Sequence, residues 1–263
     1  MNVERVGEGP PFVLLHGFTG SAEGWRAHLD VFGEHFTSYA VDLIGHGKTE
    51  SPHVAERYGM ERCVEDLLVL FDRLEIEQMA LLGYSMGGRS ALQLAVAAPE
   101  RISALVLESA SPGIPDAAEL AARVKSDEAL AQSIERDGLE AFIDYWEGLP
   151  LFASQRNLPP DVWQRHRMQR LNNDPVGLAN SLRGMGAGAM QPVWERLDAL
   201  TMPTLLMVGE LDEKYVKQGR EMAEPMPNAS LTVVPKVGHA VHLEAPETFD
   251  RIISTWLTKQ VGR

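Results

Sequence analysis

The stretch MALLGYSMGG, Met79–Gly88, decides the fold of this 263-residue chain. Its first four residues are apolar and predict a buried strand, and the helical pattern that begins at Met86 ends before Pro99. The intervening G-x-S-x-G sequence lies in the strand–turn–helix context that an activated serine requires. Side chains in place of its two glycines would collide with neighbouring backbone in so tight a turn. We therefore expect Ser85 to be a nucleophile or base beside a helix N-terminus, whose positive dipole end favours an oxyanion.

Short apolar runs of the same kind recur along the chain, with helical patterns between them. Runs without polar alternation are typical of parallel strands covered on both faces. The predicted strands are Phe12–Leu15, Ser38–Val41, Met79–Leu82, Ala104–Leu107, Thr204–Val208 and Leu231–Val234. A helix predicted over Arg62–Leu74 places Cys63 on its apolar face, so this cysteine is expected to be a core residue. The alternation predicts an α/β fold, a mostly parallel twisted sheet with helices on both faces.

The alternation of strands and helices stops after Leu107. Between Ser111 and Leu197 no strand-like run occurs, and several amphipathic helices are predicted instead. We expect residues 1–110 and 198–263 to form the core and residues 111–197 to form an inserted helical cap. Ligands of open α/β sheets bind beyond the carboxyl ends of the strands, so a cap at that edge is expected to close the site.

The composition narrows the class of partner. The chain has 24 Lys and Arg against 37 Asp and Glu, a net charge of −13, which disfavours nucleic acid and anionic membranes as partners. No apolar run approaches the roughly 20 residues of a membrane span, and no signal peptide is recognisable. We expect a cytoplasmic, monomeric protein that binds a small molecule. No metal or organic cofactor is expected, since neither H-E-x-x-H nor an early G-x-G-x-x-G occurs.

Further candidate catalytic residues follow other predicted strands. Phe18 lies just after the first strong strand, where its backbone N–H and that of Met86 are expected to form an oxyanion hole. Alternatively, the His-Gly pair before Phe18 only shapes a turn. Asp212 follows the strand TLLMV and His239 follows LTVV. The order Ser85, Asp212, His239 is that of α/β-hydrolases and differs from the two unrelated serine-protease orders.

Other residues compete for two of these roles. His242 lies three positions beyond His239, in the run AVHLE, and is expected to pack or form hydrogen bonds. Glu210 and Glu108 also lie at strand ends and are alternatives to Asp212 as the acid of the triad.

Together these motifs resemble the α/β-hydrolase fold over essentially the whole chain. They are HGF at His16, DLIGHG at Asp42, GYSMGG at Gly83, GELD at Gly209 and VGH at Val237. A closer resemblance is to one branch, the 2-succinyl-6-hydroxy-2,4-cyclohexadiene-1-carboxylate synthases of menaquinone biosynthesis. Its similarity includes the cap, the segment that varies most in this fold. The motifs are Arg89 after GYSMGG, Arg123 in ARVKSD, YW and LPLF from Tyr145 to Phe152, RLNN from Arg170, LRGMG from Leu182, and Gln191-Pro192.

The resemblance implies a lyase whose substrate carries three carboxylates. It implies substrate-binding roles for Tyr84, Arg89, Arg123, Trp146, Arg170 and, at the mouth, Lys214. Arg89 lies in the first turn of its helix, where a cation opposes the dipole, so a bound anion or a nearby carboxylate is expected to compensate it. An arginine cluster can reverse the potential inside the pocket of an acidic protein. Arg165 and Arg167 are close enough in sequence to take the place of Arg170. Each cap arginine is otherwise a surface residue, and Tyr84 and Trp146 otherwise pack.

The same resemblance implies a mechanism, with alternatives. Ser85, deprotonated through His239, would remove the proton next to the succinyl carbonyl, and the enolate of pyruvate would then leave. In the other version Ser85 only positions the substrate for His239. A rival interpretation is an ester or carbon–carbon bond hydrolase that forms an acyl-enzyme. A more distant one is a non-catalytic small-molecule-binding module on the same fold.

Overall fold

The computed structural model describes residues 1–261, whose strands form one seven-stranded sheet. The strands are β1 (Val3–Val6), β2 (Pro11–Leu15), β3 (Thr37–Val41), β4 (Met79–Tyr84), β5 (Ile102–Glu108), β6 (Thr204–Gly209) and β7 (Ala229–Val234). Their order is β1-β3-β2-β4-β5-β6-β7, and every neighbouring pair is parallel except β1 with β3. The predicted fold class is therefore confirmed. The sequence analysis missed β1, whose four residues VERV include two charges and lie at the edge of the sheet.

Helices cover both faces of the sheet because successive strand residues point to opposite sides. In β2, for example, Val13 and Leu15 pack into one core and Phe12 and Leu14 into the other. The α-helices are α1 (Arg26–Phe32), α2 (Met60–Arg73), α3 (Met86–Ala97), α4 (Ala117–Asp137), α5 (Leu139–Glu147), α6 (Pro160–Leu171), α7 (Pro175–Met185), α8 (Glu213–Ala223), α9 (Val241–Glu244) and α10 (Pro246–Val261). Helices α2, α3 and α8 contribute to the first core, and α1 and α10 to the second. Short 3-10 helices occupy Ala22–Trp25, Ala55–Tyr58, Pro99–Arg101, Pro150–Asn157 and Trp194–Ala199.

Helices α4 to α7 lie between β5 and β6 and have a small apolar core of their own. That core contains Ala131, Ile134, Phe142, Ile143, Leu178, Ala179 and Leu182. Helix α7 packs closely on the loop after β3, where a Cβ at Gly177 or at Gly45 would collide with the backbone of the other residue. Only glycine permits so close an approach, which holds α7 against the sheet's carboxyl edge.

The observed elements differ from the predicted ones mainly at their ends. The helix predicted over Arg62–Leu74 is α2, and Cys63 on it is fully buried, as expected for a core residue. Burial raises the pKa of its thiol to about 12. The last strand, predicted to be buried, is half-exposed because β7 forms the other edge of the sheet.

Within residues 1–261, no helix is long and apolar enough to cross a membrane.

Candidate active site

Ser85 lies in the turn between β4 and α3, at the carboxyl edge of the sheet. Its backbone has φ 50° and ψ −105°, a conformation that costs a residue other than glycine about 1–3 kcal/mol. The glycines on either side make the turn possible: a Cβ at Gly83 would collide with the carbonyl of Gly87, and one at Gly87 with the carbonyls of Leu15 and His16. The expected role of both glycines is confirmed, and the strained turn holds Ser85 at the helix N-terminus.

The structure brings the three predicted triad residues together. His239 Nε2 is 3.1 Å from Ser85 Oγ, and His239 Nδ1 is 2.6 Å from Asp212 Oδ2. The imidazole and the carboxylate are both buried. The carboxylate can therefore hold the imidazole in the tautomer that accepts a proton from the serine.

The structure places the competing carboxylates elsewhere. Glu210 accepts a hydrogen bond from the backbone N–H of Lys236 on the surface. Glu108 is fully buried but pairs with His242, whose Nδ1 is 2.9 Å from both of its carboxylate oxygens. Asp212 is thus the acid that contacts His239.

Two backbone N–H groups beyond the carboxyl ends of β2 and β4 have no acceptor within residues 1–261. They belong to Phe18, in the loop after β2, and to Met86, the first residue of α3. His16 shapes this loop: the N–H of Leu43 donates to its Nε2, so its Nδ1 carries the proton and donates to Gly17 O at 2.8 Å. The geometry matches the predicted division between a structural His16 and a free N–H at residue 18.

A cavity of about 610 Å³ opens above Ser85, between the sheet and the cap. All six substrate-binding residues predicted from the resemblance line it, namely Tyr84, Arg89, Arg123, Trp146, Arg170 and Lys214. Lys214 is exposed at the rim. Arg165 and Arg167 do not line the cavity, because they point outward and pair with acidic residues of α5 and α6. Of the three neighbouring arginines on α6, Arg170 is the one that faces the site.

Arg89 is buried without a carboxylate partner. Its Nη2 donates at 2.9 Å to the carbonyl of Met185, the last residue of α7, whose C-terminal dipole end is negative. No carboxylate of residues 1–261 lies within ion-pair distance, so the alternative of a salt bridge is wrong here. Burial lowers the pKa of this guanidinium, with the neighbouring Arg123 adding to the effect. An anion in the cavity would relieve that desolvation.

The two cap arginines are held differently. Arg123 Nε donates to Asp127 at 2.7 Å, and its two terminal nitrogens have no partner in the described part of the chain. Arg170 is more constrained, with Nη1 on Glu147 at 2.9 Å and Nη2 on Gln155 at 3.4 Å. Arg123 therefore keeps its fork free for a bidentate anion, while Arg170 contributes a held charge.

Several cavity residues hold buried N–H donors that have no hydrogen-bond acceptor among residues 1–261. These are Trp25 Nε1, Arg89 Nε, Trp146 Nε1 and Arg170 Nε. Buried donors are normally satisfied, and leaving one unpaired costs about 1–3 kcal/mol. A concentration of unpaired donors around one cavity is the complement of a ligand rich in acceptors.

Three aromatic residues of the cavity were not predicted from the sequence, namely Trp25, Trp194 and Tyr215. Tyr215 packs against His239 with ring centroids 4.8 Å apart, and burial raises the pKa of its phenol while Arg89 opposes the rise. Trp25, more than 180 residues away along the chain, lines the cavity next to His242. Tyr215 follows Asp212 by three positions, so its place in the first turn of α8 was a usable signal. Nothing in the sequence near Trp25 indicated the site.

The chain is similar over most of its length to proteins of one known family. Residues 10–246 match the family described as alpha/beta hydrolase fold. A Bacillus subtilis (strain 168) protein, provisionally named 2-succinyl-6-hydroxy-2,4-cyclohexadiene-1-carboxylate synthase, is 46% identical over 94% of this chain and 89% of its own length. A synthase of that name from Escherichia coli O1:K1 / APEC is 31% identical over 90% of this chain and 89% of its own. The structure of MenH from S. aureus superimposes with a TM-score of 0.94 at 35% identity, covering 98% of each chain.

Proposed function

The chain belongs to the α/β-hydrolase family and, within it, to the 2-succinyl-6-hydroxy-2,4-cyclohexadiene-1-carboxylate synthases, and we propose that it acts as a lyase. It eliminates pyruvate from 2-succinyl-5-enolpyruvyl-6-hydroxy-3-cyclohexene-1-carboxylate. The product is the cyclohexadiene that names the family, an intermediate of menaquinone (vitamin K2) biosynthesis.

One observation carries the assignment beyond the fold. The cavity above the serine is lined by three arginines and by buried N–H donors that lack acceptors in the described structure. The substrate has three carboxylates, and each can accept bidentate hydrogen bonds from a guanidinium. An acidic protein repels such a trianion at long range, so the local cluster is needed to reverse the potential. An ordinary apolar ester would leave these donors unsatisfied.

The residues of the triad act as follows in this proposal. Ser85, hydrogen-bonded to His239, removes the proton from the ring carbon that bears the succinyl group, and His239 receives the proton of Ser85. Asp212 stabilises the imidazolium that forms. The carbonyl oxygen of the succinyl group gains negative charge and accepts hydrogen bonds from the N–H groups of Phe18 and Met86.

Elimination of the pyruvate enolate follows the proton transfer. The enolate re-forms its carbonyl, and the electron pair shifts through the ring double bond to expel the enolpyruvyl oxygen. The C–O bond breaks, a second ring double bond forms, and the enolate of pyruvate takes up one proton. No bond to Ser85 is made, so neither water nor an acyl-enzyme is required.

A pyruvate-release assay on the enolpyruvyl cyclohexene substrate tests the proposal. Wild type is expected to release one pyruvate per product, and Ser85→Ala to lower kcat by at least about a thousandfold. Full activity in Ser85→Ala would contradict the role of the serine as base and leave His239 as the base.

Ester hydrolysis is the second candidate, because the serine and the imidazole are within hydrogen-bond distance and the two N–H donors are free. It predicts rapid cleavage of p-nitrophenyl esters with a burst of acyl-enzyme, and no pyruvate. Labelling of Ser85 by a fluorophosphonate does not separate the two enzymes but argues against a non-catalytic binding role. The comparison of both substrates with one preparation decides between lyase and hydrolase.

Catalysis by a monomer is part of the same proposal. Roles for Tyr84, Trp146 and Lys214 at the cavity wall, a cap spanning residues 111–197 and a cytoplasmic location belong to the same proposal.

A further inference from the structure

A second buried carboxylate–imidazole pair lies next to the triad, and the mechanism above does not use it. Glu108, the last residue of β5, is fully buried. Both of its oxygens are 2.9 Å from His242 Nδ1, and one also accepts the backbone N–H of His242 at 3.0 Å. The Tyr84 ring contacts this imidazole and that of His239, with centroid distances of 4.6 and 5.4 Å.

The pairing fixes which nitrogen of His242 carries the proton. A carboxylate that faces Nδ1 from both oxygens requires N–H there, so in the neutral ring the lone pair lies on Nε2. Within residues 1–261, Nε2 has no hydrogen-bond partner, and His242 lines the cavity. The His242 imidazole therefore presents a fixed hydrogen-bond acceptor to the cavity, whereas most of the other buried polar groups there are donors.

Aromatic and charged side chains surround His242 in the cavity. The Trp25 ring packs against it with centroids 4.6 Å apart. Arg170 lies over the Phe152 ring, with Cζ 5.4 Å from the ring centroid, and Phe152 packs against His239 with centroids 6.0 Å apart. A held guanidinium charge and the His242 imidazole thus line the same cavity.

We propose that His242 binds the ring hydroxyl of the substrate through Nε2, and that Glu108 is the positioning residue that keeps this nitrogen an acceptor. The inference rests on the proposed function and adds a specificity determinant to it. The name of the product puts its hydroxyl on carbon 6, next to the carboxylate on carbon 1. In the orientation that we infer, the carboxylate on carbon 1 faces Arg170, and the neighbouring hydroxyl, the one neutral donor of the ring, faces His242.

The test compares the natural substrate with an analogue in which hydrogen replaces the ring hydroxyl. The analogue keeps the acidic proton and the leaving group, so it can still release pyruvate. The informative variant is E108Q/H242F. The glutamine amide oxygen can still accept the backbone N–H of residue 242, and phenylalanine fills the space of the imidazole but has no ring nitrogen to bind the hydroxyl. His35→Gln, at an exposed histidine, is the control.

We expect wild type to prefer the hydroxylated substrate in kcat/KM by about tenfold, the effect of one hydrogen bond. The preference is expected to fall to near one in E108Q/H242F, which removes the imidazole without leaving Glu108 charged and unpaired, and to persist in His35→Gln. A change in structure alone would slow both substrates equally. If pyruvate is released but the ratio stays constant, the inference is wrong and the proposed function stands. If wild type releases pyruvate from neither substrate, both fall.

A second measurement uses the wild-type protein alone, so it does not depend on whether a variant folds. The ¹⁵N shifts of the His242 ring in wild type at pH 7 are expected to show hydrogen on Nδ1 and a bare Nε2. A protonated Nε2 in the free protein would overturn the inference.

Discussion

Replacing Arg89 with methionine separates what this residue does for the fold from what it does for the reaction. The guanidinium is buried and is held by one hydrogen bond to a carbonyl, not by a carboxylate. A buried ion without an opposite charge costs several kcal/mol, and methionine fills a similar volume without that cost. Loss of the hydrogen bond to the Met185 carbonyl offsets about 1–1.5 kcal/mol of the stability gained in this way.

The two effects of this substitution have opposite signs. We expect Arg89→Met to raise the free energy of unfolding by about 2 kcal/mol, which raises Tm by about 4–8 °C for a chain of this size. We expect kcat/KM for pyruvate release to fall by about 150-fold to 5,000-fold, the cost of removing one partner from a buried ion pair of about 3–5 kcal/mol.

The assay couples released pyruvate to lactate dehydrogenase, and thermal unfolding is followed by circular dichroism without ligand. Arg165→Met is the matched control, because that arginine is exposed outside the cavity and should change neither quantity. A kcat/KM within threefold of wild type would refute the role of Arg89 in binding the anion. A Tm lowered by more than 4 °C would refute the reasoning about its desolvation.

Four further outcomes follow from the same geometry. Ser85→Gly is expected to abolish pyruvate release but to raise stability by about 1 kcal/mol in urea unfolding, because glycine adopts its positive φ without strain; a lower stability would contradict this. Gly87→Ala is expected to lower stability by at least about 3 kcal/mol, since the new Cβ collides with backbone; an unchanged urea midpoint would show that the turn can relax. Burial lowers the pKa of His46 to about 3, so the unfolded chain takes up a proton near pH 6.5 and the folded one does not. Stability is therefore lost as pH falls below 6.5, by about 2 kcal/mol at pH 5 from this residue, and His46→Gln should flatten the profile of unfolding free energy against pH. Arg123→Ala is expected to raise KM about tenfold, whereas Arg183→Ala, whose ion pairs are on the surface, should not.

The parts of this site that lie close together in the chain were predictable from the sequence. The turn at Ser85 depends on contacts within a few residues, and both glycines could be assigned from the spacing alone. The apolar runs likewise predicted the sheet, because side-chain direction alternates with a fixed period in a strand. The edge strands were the weakest predictions, since β1 carries charges and β7 is half-exposed.

The choice among chemically equal residues needed the tertiary structure. The sequence placed both Asp212 and Glu108 at the ends of strands. Only the packing of the loops after β6 and β7 pairs Asp212 with His239 and Glu108 with His242. The rotation of α6 about its axis likewise selects Arg170 from its neighbours.

The sequence by itself determined the fold, the order of the triad and the strained turn, because these follow from local periodicity and from short-range backbone contacts. Only the tertiary structure decided which groups face the cavity, which of them lack partners among the described residues, and that Trp25 and Tyr215 belong to it. The physical reason is that these properties depend on elements far apart in the chain, whose relative positions are set by the packing of the whole core.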